Sequence, residues 1–197
     1  FGSASMDFDP TVGVDTHTSN GDTDIFFTKI NADGTYGYTK TAGGAAADVV
    51  SSIVIDSNNN VYLGGYFFDV SVDFDPSGGV DTHTNNGSSD IFFTKINADG
   101  SYGYTKTVGG GGSEFIYPIE IDSADNIYLA GHFSTGSMDF DSSGGVDTHS
   151  NNGDTDMFLT KINADGSYGY TKTMGGGGGD VIYSIITDAN DNLYLAG

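Results

Sequence analysis

Apolar residues in this chain come in short clusters broken by turn-forming residues, and no stretch carries the i, i+3, i+4, i+7 spacing of an amphipathic helix. The clearest stretch runs from Tyr117 to Thr173. Tyr117–Ile121 (YPIEI) predicts a strand, with Pro118 near its start or on a sheet edge, because proline has no N–H for an inner ladder. Asp122–Asn126 (DSADN) predicts a turn and Ile127–Phe133 (IYLAGHF) a second strand. A long polar segment, Ser134 to Thr155, follows. Asp156–Ile162 (DMFLTKI) predicts a third strand, Asn163–Gly166 (NADG) a hairpin turn and Ser167–Thr173 (SYGYTKT) a fourth strand. Gly175–Gly179 reads as a connector to the next such group.

The same order recurs along the chain. Asp7-Phe8-Asp9 returns as Asp73-Phe74-Asp75 and Asp139-Phe140-Asp141, an offset of 66 each time. Phe26–Tyr38 (FFTKINADGTYGY), Phe92–Tyr104 (FFTKINADGSYGY) and Phe158–Tyr170 (FLTKINADGSYGY) keep that offset. The chain divides into repeats 1–66, 67–132 and 133–197, the first holding the last two strands of one unit and the first two of the next. The pattern starts and stops inside a unit, which predicts a window of a longer repeat protein. Four antiparallel strands per unit in tandem predict an all-β fold of β-propeller blades. Short strands without clean alternation fit sheets covered on both faces by their neighbours.

Composition narrows the function classes. The 197 residues include 31 Gly, no Cys and no Trp; 6 Lys face 27 acidic residues, for a net charge of −21. Disulfides, thiolate metal sites and Cys nucleophiles are excluded. Nucleic acid is not an expected partner, because counterion release needs clustered Lys or Arg. The same charge opposes an anionic membrane surface, and no apolar run is long enough for membrane insertion as a helix. The lysines bracket each NADG turn (Lys29 and Lys40, Lys95 and Lys106, Lys161 and Lys172), where charge protects strand edges and keeps the surface soluble.

The run IEIDSADNIYLAGHF, followed by DMFLTKINADGSYGYTKT and GGGGGD, resembles the SBBP β-propeller repeat, and more broadly the NHL type of blade. The matching hairpins are Ile53–Tyr66, Ile119–His132 and Ile185–Gly197, and the resemblance covers essentially the whole chain. It implies a propeller fold and an extracellular or cell-surface protein with binding or scaffolding work. The DFD…VDTH insertion between the second and third strands departs from shorter members, so nothing that depends on that segment is implied.

Strand order sorts the loops. In an up-and-down unit the first and third turns share one face; the insertion and the Gly-rich connector share the other. The second face is where a binding site is expected. Three arrangements of the units are open: part of a larger ring in one long chain, two such chains joined into a six-bladed ring, or an open stack in which non-closing contacts make a filament.

Several constellations carry candidate chemistry. Asp7, Asp9 and Asp15, with Asp73, Asp75 and Asp81, and Asp139, Asp141 and Asp147, offer closely spaced carboxylates in each insertion, near Asp90 and, in two copies, Asp22 and Asp154. Such oxygen-rich loops suit Ca²⁺; equally, Asp in these positions serves turns by bonding the backbone two residues on. The series Asp56, Asn58, Asn60 lacks the Gly and the bidentate Glu of an EF-hand loop and reads as a hairpin cap. His17, His83 and His149 recur in every copy and read as structural; His132 stands where the preceding unit has Tyr66. The Gly runs have no Lys-Ser/Thr and open no helix, so they read as close-packing connectors, not anion cradles. Tyr102 and Tyr104, and their counterparts, are expected on one face of the fourth strand, buried against the next unit or exposed for sugar stacking. Asn86-Gly87-Ser88 forms a glycosylation sequon present in one copy. Glu120 stands where the other copies have Val54 and Ile186, and one carboxylate is not the pair that glycoside hydrolysis needs.

These readings predict a non-catalytic extracellular or cell-surface repeat protein with a structural, adhesive or filament-forming role. Its partners are itself or neighbouring repeats. The alternative is a ligand-binding propeller domain of a larger secreted protein, directed at surface glycans.

Overall fold

The computed structural model describes all 197 residues and contains only β-strands, turns and loops. The chain opens with a small hairpin, β1 (Ser5–Asp7) and β2 (Thr16–Thr18), then a two-stranded sheet of β3 (Ile25–Ile30) and β4 (Tyr36–Ala42). The next unit has β5 (Asp48–Ile55), β6 (Val61–Phe67), the hairpin β7 (Ser71–Asp73) with β8 (Thr82–Thr84), then β9 (Asp90–Ile96) and β10 (Tyr102–Val108). The third repeats it as β11 (Glu114–Ile121), β12 (Ile127–Phe133), β13 (Ser137–Asp139) with β14 (Thr148–Ser150), β15 (Asp156–Ile162) and β16 (Tyr168–Met174). The chain closes with β17 (Ser184–Thr187) and β18 (Leu193–Ala196).

Two complete antiparallel sheets result, in the order β5-β6-β9-β10 and β11-β12-β15-β16, each an up-and-down meander. The sheets pack face to face. Tyr62, Ile91 and Phe93 of the first meet Ile116, Ile127, Leu129 and Phe158 of the second in one buried cluster. Val61, Leu63, Phe92 and Ile96 meet Ile25 and Phe27 of the β3–β4 sheet in another. Both faces of each complete sheet are therefore covered, which is why the middle strands read as continuous apolar runs. The first strands β5, β11 and β17 lie beside one another along one side of the stack.

The second and third strands of a unit fall where the sequence places them. Strand β11 begins at Glu114, ahead of the expected Tyr117, because Glu114 and Phe115 already pair with Phe133 and His132. Pro118 sits on this edge strand at the register slip between Ile116 and Ile119, where no ladder bond is lost. The insertion, expected as a polar loop, instead folds into the three-residue hairpins, which pin Phe8, Phe74 and Phe140 in the core. Phe140 packs edge-on against Phe133 at a centroid distance of 5.2 Å.

A second correction concerns the Tyr-Gly-Tyr pairs. A bulge at Gly103 separates Tyr102 from Tyr104. Tyr102 turns to the cluster shared with the preceding sheet, and Tyr104 to the cluster shared with the following one. The two rings therefore lie on opposite faces. Gly166, at φ +84°, closes the next NADG turn, and an added Cβ there would stand 2.9 Å from the Tyr104 hydroxyl oxygen. Both the turn conformation and the incoming ring require glycine.

Candidate functional site

The first and third turns of a unit do share one face. The Ala98 N–H, in the third turn, donates to the Asn60 side chain, in the first, at 3.1 Å. Asp56 holds its hairpin together by accepting from the N–H groups of Asn58 and Asn60 at 2.9 and 2.8 Å and from the Tyr62 hydroxyl at 3.1 Å. The Asp is a hairpin cap. Asp125, in the next turn, has φ +61° and reaches back to accept from the Ser57 N–H at 2.9 Å and its hydroxyl at 2.5 Å. Asp191 does the same for Ser123 at 3.0 and 2.7 Å. Adjacent sheets are thus stapled turn to turn.

On the opposite face, each carboxylate of the insertion has a defined task. Asp73 accepts from the N–H groups of Asp75 at 3.1 Å and Asp81 at 2.9 Å, which closes the hairpin. Asp75 accepts from the Ser77 N–H at 2.8 Å and hydroxyl at 2.6 Å. Asp81 accepts from the Tyr102 hydroxyl at 2.5 Å, tying the hairpin to β10. Asp7, Asp9 and Asp15 repeat these roles with Thr11 and Tyr36, and Asp139, Asp141 and Asp147 with Ser143 and Tyr168. No group of three or more acidic or His side chains comes together in metal-binding reach.

His83 bridges the hairpin to β10. Its Nδ1 lies 3.0 Å from the Thr107 hydroxyl, and its ring meets Phe74 edge-on at 5.7 Å. Nε2 lies 3.3 Å from Asp81 but off the hydrogen-bond direction. His17 and His149 occupy identical settings beside Thr41 and Thr173. The Tyr102 bond, the His83 contact and a backbone N–H together outweigh burial and hold Asp81 below the usual carboxylate range. In Asp15 and Asp147 the tyrosine bond is the largest cause of the same lowering.

Beneath the Gly-rich connector lies a feature that the sequence reading missed. The Gly44 N–H donates to Asp48 at 2.8 Å, and those of Ala45 and Ala46 donate to Asp69 at 3.0 and 2.7 Å. In the next unit the Gly110 N–H donates to Glu114 at 2.9 Å and the Gly112 N–H to the Thr135 hydroxyl at 2.8 Å. The connector, expected only to pack closely, is a backbone cradle for carboxylates of its own chain. Asp24, Asp90 and Asp156 sit below it, buried, each with one oxygen that has no partner. Burial raises Asp48 to about 7, with Asp69 and Asp24 adding repulsion against the relief from Gly44; burial raises Asp90 to about 6. Asp48 and Asp90 were legible only as isolated acids, because the acids that crowd them, Asp24 and Asp69 in the first case and Glu114 in the second, lie more than 20 residues away.

Five of the six lysines, Lys40, Lys95, Lys106, Lys161 and Lys172, lie over tyrosine rings. Lys95 Nζ stands 5.4 Å from the Tyr62 ring centre and Lys106 Nζ 5.7 Å from that of Tyr104, within cation–π range. All six lie on the third and fourth strands of their sheets.

A distinct constellation forms along the first strands, near the connector. Phe115 and Tyr117 of β11 have nearly parallel rings, 6° apart, with centroids at 6.4 Å. His132 packs 5.1 and 5.6 Å from them. Tyr66 meets Phe115 at 4.6 Å, Phe68 closes on both, and Tyr183 extends the row 5.5 Å beyond Tyr117. Burial lowers the His132 pKa, and its Nδ1 has no partner.

No known protein-family profile matches the chain. It is similar to an uncharacterized WD repeat-containing protein of Acanthamoeba polyphaga mimivirus, with 26% identity over 211 residues. The match takes in 93% of this chain and 15% of that relative, so the chain spans a small part of the protein it resembles. Tandem antiparallel sheets and likeness to a WD repeat-containing protein agree in placing the chain among repeat-built β proteins.

Proposed function

We propose that this chain is part of a β-propeller-type repeat protein, SBBP-like in its unit, that acts as a non-catalytic scaffold outside the cell or on its surface. Its work on this reading is to associate with further units, its own or a second copy's, into a ring or a filament. The observation that carries the reading is a contrast between equivalent positions. Phe92 is 1% exposed and Ile96 2%, both under the preceding sheet, while Phe26 and Ile30 are 47% and 48% exposed. At the other end Tyr194 is 59% exposed where Tyr62 is 2%.

The open ends are complementary. Strand β3 has no second-strand partner and β18 no third-strand partner, whereas β6 pairs with β9 and β12 with β15 in one register. Carrying that register across sets Leu193 opposite Ile30 of the next copy. A contact between two different surfaces of one unit propagates and either closes or runs on as a fibre. Glu120, an acid that breaks the repeat, supports the non-catalytic part: it accepts from the Thr187 hydroxyl at 3.0 Å and N–H at 3.3 Å, joining β11 to β17.

Electron microscopy of the purified chain, with light scattering across a concentration series, tests the assembly. Rings or fibres are the expected result. A chain that stays monomeric at every concentration, with β3 and β18 exchanging amide hydrogens as fast as free edges, overturns assembly between copies.

A further inference from the structure

The three repeats do not differ evenly. From the first hairpin to the end of the fourth strand they are nearly the same, and the changes of chemical kind gather elsewhere. Phe115 stands where the other copies have Val49 and Val181; Tyr117 and Tyr183 stand where the first has Ser51; His132 replaces Tyr66; and Phe68 answers to Gly2 and Ser134. These six residues, from four positions of the repeat, are the six members of the aromatic row described above. A merely structural position in a repeat array is expected to carry the same residue in each copy, as Phe8, Phe74 and Phe140 do. Here four places of the unit at which the copies differ put six aromatic residues into one continuous row, with Phe68 38% and Tyr183 65% exposed.

We infer that this row is a binding site for a neutral carbohydrate chain, whose pyranose rings lie with their C–H faces on Phe115, Tyr117 and Tyr183. The inference rests on the propeller-type reading only for the side of the stack on which the row lies. Three observations select this ligand class. First, all six lysines lie on the third and fourth strands, so the row has no cation to offer an anionic sugar, a phosphate or a nucleic-acid backbone. Second, neighbouring rings of the row have centroids 4.6 to 6.4 Å apart, in contact with one another. They make a platform and leave no cage to surround an alkylammonium group. Third, polar groups line the platform. The hydroxyls of Tyr117 and Tyr183 carry none of the carboxylate bonds that engage Tyr62 and Tyr128. A sugar, apolar on its ring face and polar around its rim, matches both features. The steps of 6.4 Å from Phe115 to Tyr117 and 5.5 Å on to Tyr183 give room for more than one ring.

The repeats themselves supply the test variants. Phe115→Val and Tyr117→Ser install residues that other copies already hold at those places, so the fold is expected to accept them. Titration calorimetry of the 197-residue chain with cellohexaose, laminarihexaose and mannohexaose should give saturable binding to at least one. That binding should be weakened at least tenfold in the double variant and be unchanged in Val12→Gly, a fully exposed insertion position that is Gly in the other copies. It should also persist in high salt. No binding to any of the three sugars, or equal binding by the double variant, overturns the inference. Stronger binding to polygalacturonate than to the neutral chains overturns it as well. Microscopy of the same sample reports on assembly separately: sugar binding by a monomer removes the scaffold reading and keeps the site, and rings that bind no sugar do the reverse.

Discussion

Gly109 lies directly over the buried carboxylate of Asp90: an added Cβ would stand 2.0 Å from Asp90 Cγ. Gly43 and Gly175 hold the same relation to Asp24 and Asp156, at 2.7 and 2.4 Å. The first glycine of each connector is thus a steric requirement of a buried acid. Gly109→Ala must move Asp90 or the backbone and should cost about 1–3 kcal/mol, the usual range for overpacking. Gly111 has open space where its Cβ would go, and Ala45 already stands at the equivalent place. Gly111→Ala should be neutral or slightly stabilising through the unfolded chain. Urea denaturation of both variants checks the contrast; equal midpoints would remove the steric account.

Asp48 gives the stability an unusual pH dependence. Its folded pKa is raised to about 7, above the model-peptide value of 3.8, so the folded state holds its proton more tightly than the unfolded state. That contribution is fully present below 3.8 and is lost as pH rises through 7. Asp90, raised to about 6, acts in the same direction, and so does self-repulsion at −21 net charge. Stability should fall between pH 4 and pH 7, with about 2–4 °C in Tm for each kcal/mol. Asp48→Asn keeps an acceptor for Gly44 and carries no charge, so it should raise Tm at pH 8 and flatten the slope. A wild-type Tm that climbs from pH 4 to 7 contradicts this assignment.

The hairpin carboxylates act oppositely. Asp15, Asp81 and Asp147 have lowered pKa values, so their stabilisation is present above about pH 4 and disappears as pH falls through the folded values. Tyr102→Phe removes the hydroxyl that donates to Asp81. A hydrogen bond to a charged group is worth about 1.5 kcal/mol or more. The variant should lose about that amount at pH 6 and begin acid unfolding at higher pH than wild type. The two should converge once Asp81 is protonated in both. Circular dichroism along an acid titration reads the shift.

The units, the order of their four strands and the sharing of faces by their loops were legible in the sequence, because the 66-residue period and turn residues such as Asn163–Gly166 report local backbone geometry. What escaped depends on partners remote in sequence. Hairpins of three residues, such as Ser71–Asp73 with Thr82–Thr84, are too short to show a period of two. The bulge at Gly103 reverses one tyrosine of a pair whose spacing, without it, puts both on one face. The cradle joins Asp48 to Asp69 through a loop, and the aromatic row gathers Tyr66, Phe115 and Tyr183 from three sheets. One signal for the row was present in the sequence: the places where the copies disagree.

Phe26 and Phe92 occupy the same position in successive units, yet Phe92 is 1% exposed and Phe26 47%. Truncating a buried phenylalanine costs about 3–5 kcal/mol, so Phe92→Ala should be severely destabilising at any protein concentration. Phe26→Ala removes a ring that already meets solvent, and in the dilute chain its cost should be a small fraction of that. If β3 pairs with β18 of another copy, Phe26 becomes the equivalent of Phe92 at that junction. Wild-type Tm should then rise with protein concentration, since association stabilises only the folded form. Phe26→Ala should abolish that rise while leaving the dilute Tm nearly unchanged. A concentration dependence that survives in Phe26→Ala would place the contact between copies elsewhere on the chain, away from the open end of the first sheet.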